Sequence, residues 1–425
     1  MSQPSPDAFA ELKWRGLIAL STDEEALRRD LTTSTVTYYC GFDPTAPSLH
    51  LGNLVQLLAM RRLQDRGHLP LALVGGATGL IGDPRMSGER VLNSRDTVAE
   101  WVDKIRVQVE RYLDFDGPHA SRLVNNLDWT QPLSAIDFLR DVGKHFRVNR
   151  MLAKEAVSAR LNSDVGISFT EFSYQILQGM DFLELYRRYG CTLQTGGSDQ
   201  WGNLTSGTDL IHRVEGRSVH AAATPLVTKA DGTKFGKTET GTGWLDPSMT
   251  SPYAFFQFWL NAEDAKVGDY LRIFTFRSRQ EIAELEAATA QRPAAREAQR
   301  ALAADVTTIA HGAEATTRVQ EASQALFGRG DLARLDAATL ADALAELPTA
   351  RIPRAEVPVV DLFAQSGLVA SRSAARRTIT EGGAYVNNVK VADVDACVAL
   401  DTLLHGRWVL LRRGRRSLAA ADLSG

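Results

Sequence analysis

Between about residue 34 and residue 245, short strand-like apolar runs alternate with amphipathic helical stretches, and this alternation restricts the fold more than any other feature of the 425-residue chain. The plainest strands are "VTYYCGF" (36–42), "LPLALVGG" (69–76), "SRLVNNLDW" (121–129) and "GCTLQTGG" (190–197), each ending near glycine or polar residues. Strands separated by helices imply βαβ units and a mostly parallel sheet, hence an α/β fold. Such sheets bind ligands outside the carboxyl ends of their strands, which is where the unusual residues of this chain lie.

Beyond Trp244 the texture changes, and the length itself implies two or three domains. Residues 277–345 are rich in Ala, Glu, Gln and Arg; Ser278 and Glu281 form a capping box, and Leu302, Val306 and Ile309 share one helical face. "LPTARIPRAEVP" (347–358) has three prolines and little periodicity and reads as a linker. The last stretch, 357–425, contains a basic helix, a Gly-Gly turn and strands. Arg372, Arg376 and Arg377 fall on one helical side, with Arg412, Arg413, Arg415 and Arg416 further on. On a chain of net charge −3, a compact basic module suits a phosphate backbone better than a merely solvated face. Cys40, Cys191 and Cys397 are too few and too scattered for a disulfide framework or a zinc site. No apolar run approaches the ~20 residues that span a bilayer, and "MSQPSPDAFAELKWRG" lacks the order of a signal peptide. A cytoplasmic protein without a membrane partner is expected.

Five segments carry candidate chemistry. In "GFDPTAPSLHLGNL" (41–54), a cap at Ser48 would place His50 and Asn53 on the first helical turn, where free N–H groups favour phosphate. Gly52 would let a flat group approach the backbone. In "SFTEFSYQILQGMDFLELYRRYG", a Ser168/Glu171 capping box sets the register, so Tyr174, Gln178 and Asp181 share a stripe suited to a small polar ligand, if it does not face water. "LVGGATGLIGDP" delivers Asp83 from a glycine-rich turn, and "LQTGGSDQWGN" delivers Gln194, Gly197, Asp199 and Gln200. Lys234 and Lys237 in "ADGTKFGKTETG" are placed to hold a polyphosphate by charge.

In this order and spacing the motifs resemble the bacterial tyrosyl-tRNA synthetases, a class I aminoacyl-tRNA synthetase family. "YCGFDPTAPSLHLGN" is similar to a His-Ile-Gly-His signature and "KFGKT" to a Lys-Met-Ser-Lys-Ser signature. "TEFSYQILQGMDFL" and "QTGGSDQWGN" match the amino-acid pocket, and the C-terminal module resembles the RNA-binding domain named after ribosomal protein S-four. The resemblance implies a Rossmann-like catalytic domain over 1–245, with a connective insertion around 90–160 at a homodimer interface. An α-helical anticodon-side domain (246–346), a linker (347–356) and an α+β RNA-binding module (357–425) would follow.

It further implies that Tyr39 and Asp181 meet the phenolic hydroxyl of tyrosine, that Asp83, Tyr174 and Gln178 hold its ammonium group, and that Gln200 lies near its carboxylate. Cys40, Gly41, Asp43, Gly52, Gly197 and Asp199 would line the adenylate site. Thr45 and His50, with Asn53, would meet the ATP phosphates, and Lys234, Lys237, Thr238 and Arg90 would close over the pyrophosphate. Phe169 matches a dimer-contact position. ATP would enter as a substrate with Mg²⁺, no protein-bound metal or prosthetic group is expected, and tRNA(Tyr) would be the macromolecular partner, bound in part by Arg372, Arg376 and Arg377. Two departures stand out: Asn53 occupies the last signature position, and the loop after Asp83 is short and has Arg85 where a lysine is expected. They motivate an alternative, a catalytically impaired RNA-binding homologue. A tryptophan-specific sibling is disfavoured by Tyr39 together with Asp181.

Overall fold

In the computed structural model, which describes residues 7–84, 92–164, 166–233, 235, 237–238 and 241–424, six strands of the first unit form one sheet. They are β1 (Leu20–Ser21), β2 (Thr37–Phe42), β3 (Leu69–Val74), β4 (Arg122–Asn125), β5 (Cys191–Gly197) and β6 (His220–Thr224), in the order β1-β6-β5-β2-β3-β4. Every neighbouring pair is parallel except β1 with β6. From β2 the chain builds outward through β3 and β4, then returns to add β5 and β6 on the other side. The strand order therefore reverses between β2 and β5, which places a crevice at their carboxyl ends. Register aligns Tyr39 with Leu71 on one side and with Gln194 on the other.

Four helices frame that crevice: α1 (Leu51–Gln64), α2 (Gly76–Ile81), α3 (Phe169–Tyr189) and α4 (Trp201–Glu215). A left-handed Gly190 (φ 64°) ends α3 and turns the chain into β5, a conformation that costs glycine little. Ser168 caps α3 as expected, accepting the Glu171 N–H at 3.3 Å, but the reciprocal half of the box is missing. The Glu171 carboxylate instead meets Arg160 at 3.1 Å, with both side chains all but fully buried (2% and 1% exposed). Arg160→Met removes the opposite charge from a carboxylate that cannot reach water. We expect it to lower unfolding free energy by about 3–5 kcal/mol, measured as a shift in the urea midpoint at constant m-value.

The chain divides into two compact units, Met1–Asp246 with Ala262–Ala298 and Pro247–Asn261 with Gln299–Gly425. The helical domain expected over 246–346 is thus shared between them. Residues 262–298 join the first unit because the helix Val267–Phe274 is held at its carboxyl end by arginine. The Arg15 guanidinium donates to the carbonyls of Arg272, Thr275 and Arg277 at 2.8–2.9 Å, and Arg62 donates to Thr275 at 2.6 Å.

In the second unit the helices Pro252–Leu260, Ala313–Leu326 and Ala337–Ala345 pack together. The linker expected over 347–356 is corrected here: β9 (Thr349–Arg351) pairs in parallel with β15 (Ser417–Asp422), and the Ile352 N–H donates to Asp422 O. The prolines on either side limit the strand to three residues without preventing it. The resulting sheet has the order β12-β11-β14-β15-β9, where β11 is Ala384–Val386, β12 Val389–Lys390 and β14 Trp408–Arg413; β10 (Val357–Pro358) pairs separately with β13 (Cys397–Val398). The helices Val359–Gln365 and Arg372–Thr380 cover it over a core that includes Leu362, Phe363, Ile379, Val409 and Leu411.

Candidate active site

At the amino end of α1 the cap is His50 rather than Ser48. His50 Nδ1 accepts the Gly52 N–H at 3.0 Å, and the Asn53 side-chain oxygen accepts the His50 N–H at 3.1 Å. An imidazole nitrogen does here what a serine oxygen usually does, while Ser48 turns away to donate to Leu49 O and accept the Asp246 N–H. An accepting Nδ1 leaves the proton on Nε2, so the ring of neutral His50 carries a donor. Desolvation by surrounding atoms lowers its pKa and favours this neutral form, although one side of the residue is open to solvent. A Cβ at Gly52 would lie 2.9 Å from His50 Cε1, so glycine is required to keep the ring in place. Thr45 is exposed on the preceding turn.

The segment after the lysine-bearing loop is stitched to this turn. Leu51 N–H donates to Gly243 O, Leu245 N–H donates to Leu49 O, and the Trp244 ring lies 6.3 Å from the His50 ring. The loop's hairpin, β7 (Lys237–Thr238) with β8 (Gly241–Thr242), is brought beside His50 by this pairing. On its other side Phe235 packs on Tyr270 at 4.6 Å and Phe274 at 5.5 Å. Arg85, Arg90 and Lys234 lie outside the described residues, and only the backbone of Lys237 and Thr238 is described.

A chain of hydrogen bonds forms the floor of the crevice. The Tyr174 hydroxyl donates to Asp43 Oδ2 at 2.5 Å, and Thr78 Oγ1 donates to Asp43 Oδ1 at 2.7 Å. Asn126 Nδ2 reaches Thr78 Oγ1 at 3.1 Å and Asp181 Oδ2 at 3.0 Å, and Trp129 Nε1 donates to Asp181 Oδ1 at 2.8 Å. A Cβ at Gly75 would overlap both Asp43 and Thr78 at 2.2 Å, so that glycine is what admits the carboxylate. Burial raises the Asp181 carboxyl to about 7 against the two donors that favour its charge. Tyr39 is wholly buried, with its ring 5.3 Å from that of Phe182. Its hydroxyl has no hydrogen-bond partner among the described residues. Its pKa is raised by burial and then by the nearby Asp181. The stripe expected on α3 therefore turns inward: Tyr174 and Asp181 are buried and Gln178 is half-buried between them.

Asp83 sits close enough to raise the Tyr174 pKa, after burial and Asp43. It accepts from Gln200 Nε2 at 3.0 Å and from Asn203 Nδ2 at 3.3 Å. Gly197 is needed where a Cβ would come within 2.5 Å of Asp199, which is exposed. Gly41 lies at the exposed end of β2. Beside it Cys40 is buried and its thiol is pushed up to about 12 by desolvation, so it stays protonated. Asn126, Trp129, Asn203, Phe235 and Trp244 were not among the expected site residues. Their only signal in the sequence is a position within or next to a strand end or the lysine-bearing loop.

In the second unit the three helical arginines are exposed but not free: Arg372 meets Asp361, Arg376 meets Asp395 at 3.3 Å, and Arg377 meets Glu381 at 3.9 Å. Arg412 lies over the Tyr385 ring at 3.9 Å and donates to Gly414 O. Arg413, Arg415 and Arg416, at the β14–β15 turn, are exposed.

Residues 31–328 match the family described as class I tRNA synthetases (W and Y), and residues 339–420 match a tyrosine–tRNA ligase SYY-like C-terminal domain. A tyrosine–tRNA ligase of Streptomyces avermitilis is 70% identical over 99% of both chains, and one of Streptomyces coelicolor is 66% identical over the same share. Among solved structures, a C-terminally truncated mitochondrial tyrosyl-tRNA synthetase of Aspergillus nidulans covers 76% of this chain and 95% of its own (TM-score 0.69, 28% identity). That of Coccidioides posadasii covers 74% and 91% (TM-score 0.66, 30% identity). One family model takes in the whole crevice, another the C-terminal module, and the identity holds from end to end: this chain belongs to the tyrosine–tRNA ligases, within the class I aminoacyl-tRNA synthetases.

Proposed function

We propose that the chain joins tyrosine to ATP, forming tyrosyl-adenylate and pyrophosphate, and then transfers the tyrosyl group to the 3′ end of tRNA(Tyr). The observation that carries this reading is the buried Tyr39 hydroxyl without a partner among the described residues, beside a carboxylate held by Trp129 and Asn126. That arrangement offers a donor and an acceptor to a phenolic hydroxyl. Asp83, with Tyr174 and Gln178, takes the ammonium group. Gln200 lies one hydrogen bond from Asp83, near the carboxylate that reacts. Attack of that carboxylate on the α-phosphate is an in-line displacement, which needs alignment and charge stabilisation rather than a covalent nucleophile. The His50 Nε2–H, Thr45 and the lysine-loop residues Lys234, Lys237 and Thr238, with Arg90, meet the phosphates, and Mg²⁺ travels with them. Cys40, Gly41, Asp43, Gly52, Gly197 and Asp199 border the adenylate. In the second step the terminal ribose hydroxyl attacks the acyl carbon and AMP leaves.

Asn53 supports activity rather than impairment, because its side chain keeps the His50 cap closed. Tyrosine-dependent ATP–pyrophosphate exchange tests the reading, which fails if no exchange occurs with tyrosine at saturating ATP. The pH dependence has a sign. Because the ionised carboxylate is the stronger acceptor and Asp181 titrates at about 7, KM for tyrosine should rise as pH falls from 8 to 6. Phenylalanine, which has no hydroxyl to offer, should show no matching rise.

A homodimer is part of the proposal. Phe169 and Ile136 are 71% and 70% exposed, and Leu139 and Val148 are also exposed on neighbouring segments. Apolar surface of this kind is what an interface covers. Substituting Phe169→Asp and Ile136→Asp together should convert a dimer to a monomer at micromolar concentration, because central apolar anchors each contribute about 2 kcal/mol or more. Sedimentation measures this; an unchanged dimer would place the interface elsewhere.

A further inference from the structure

Lys154 belongs to none of the motifs above, yet its half-buried ammonium points at the ammonium-binding corner. Its Nζ lies 2.8 Å from Ser206 Oγ and 3.3 Å from Asn203 Oδ1. With its oxygen held by a cation, the Asn203 carboxamide has only one useful orientation. Its Nδ2 then donates to Gln200 Oε1 at 2.9 Å and to Asp83 Oδ1 at 3.3 Å. Gln200 in turn donates through Nε2 to Asp83 Oδ2. The Lys154 stem passes over Gly202, whose missing Cβ would stand 3.4–3.5 Å from Cγ, Cδ and Cε. We infer that Lys154 is a positioning residue for tyrosine activation: through Asn203 it fixes the Gln200–Asp83 pair that receives the substrate's ammonium and carboxylate groups. The inference rests on the role proposed above for Asp83.

Without the ammonium, Asn203 can turn over and set its oxygen against the Asp83 carboxylate and Gln200 Oε1. Both contacts are then repulsive, and the pair loses its common orientation. Ser206 anchors the lysine rather than the pair: its oxygen accepts from Nζ at 2.8 Å while its own hydroxyl proton goes to Gly202 O within its helix. Burial pushes the Lys154 pKa down to about 8, with Asp83 opposing the shift, so part of the positioning charge is lost in mildly alkaline solution. The other charged groups around the lysine are Arg150, Arg147 and His145 from the segment before it, and Asp209 and Arg213 from α4. Of these, His145 has its pKa lowered, by desolvation and then by Lys144, away from the range of pH 7 to 9.

The test is tyrosine-dependent ATP–pyrophosphate exchange without tRNA, on the full-length protein, from pH 7 to 9. Lys154→Met should raise KM for tyrosine about tenfold at pH 7 with kcat within about twofold, the loss expected of one charge-assisted hydrogen bond. In the parent, KM should climb through pH 8. In Lys154→Met only the titration of the substrate's own amine and, towards pH 7, of Asp181 should remain. Asn203→Ala should raise KM similarly, and the double variant should be no worse than Asn203→Ala alone, because the lysine acts through the amide. An unchanged KM in Lys154→Met, or additive effects in the double variant, would overturn the inference. Absence of exchange in the parent would instead refute the proposed function itself. Should Lys154→Met fail to fold, Ser206→Ala with Asn203→Ala supplies the second comparison: KM should follow the Asn203 substitution and not the Ser206 one, and the reverse order refutes the inference.

Discussion

A chain ending at Glu346 is expected to form tyrosyl-adenylate at the rate of the full-length protein and to charge tRNA at least about a hundredfold more slowly, because phosphate contacts supply most of the affinity for a nucleic-acid backbone. Every residue assigned to the chemistry of activation lies in the first unit, so nothing in the crevice is removed. The position of the cut follows from β9. Removing only 352–425 would leave Thr349–Arg351 without β15, exposing unpaired strand edges that invite association. The structure also shifts attention among the arginines. Arg372, Arg376 and Arg377 each have an acidic neighbour that offsets them, whereas Arg413, Arg415 and Arg416 project from a tight turn. Replacing Arg415 and Arg416 by alanine should therefore weaken charging more than replacing Arg376 and Arg377, and should flatten its salt dependence. Exchange and aminoacylation assays on the same preparations measure both effects. Charging by the truncated chain within a few-fold of the parent would show that the module is not needed for tRNA.

The α/β class was legible because period-two and period-3.6 patterns differ over short windows, and each central strand carries its own pattern. What the pattern does not encode is pairing. β1, two residues long, and β9, three residues between prolines, are strands only because a distant partner offers them an edge. The cap on α1 was misplaced for a related reason. Ser48 has the residue type that caps most helices, but the Ser48 hydroxyl found Leu49 O and the Asp246 N–H instead, leaving the cap to His50. Glu171 likewise had a cap to complete and was taken by Arg160, which lies eleven residues earlier and just as deep.

Within the crevice, spacing along a single helix was enough to group Tyr174, Gln178 and Asp181, since one turn of α3 follows another. The groups that hold them were hidden. Asn126 and Trp129 follow β4, and they meet Asp181 only because the sheet order brings the end of β4 to α3. Trp244 and Phe235 fix the lysine loop from two sides, and although Phe235 lies within "KFGKT" nothing in the sequence signals the rings they pack on. The resemblance could assign substrate roles only to residues within the family's motifs. Of the partners that orient them, Asn126 and Trp129 lie outside those motifs and Asn203 inside one, and in each case the contact came only from the fold.

The second large effect is expected at Asp181. Asp181→Ala leaves Tyr39 as the only partner for the phenolic hydroxyl and takes the acceptor from Trp129 Nε1 and Asn126 Nδ2. The ratio of kcat/KM for tyrosine to that for phenylalanine should fall about a hundredfold, corresponding to a buried hydrogen bond to a charged group. Most of the fall should come from tyrosine. Loss of folding would also lower activity, and linkage separates the two. The carboxyl is raised from 3.8 to about 7 in the folded chain, so the native state binds the extra proton between those values. Its contribution to stability is fully present below about pH 3.8 and is lost as pH rises through 7. The parent should therefore gain more stability than Asp181→Ala between pH 8 and pH 5, while the remaining carboxylates affect both proteins alike. Urea midpoints at the two pH values measure the difference. If the two proteins change in parallel, Asp181 is not the buried titrating group, and if the alanine variant still rejects phenylalanine as the parent does, the hydroxyl contact lies with another residue.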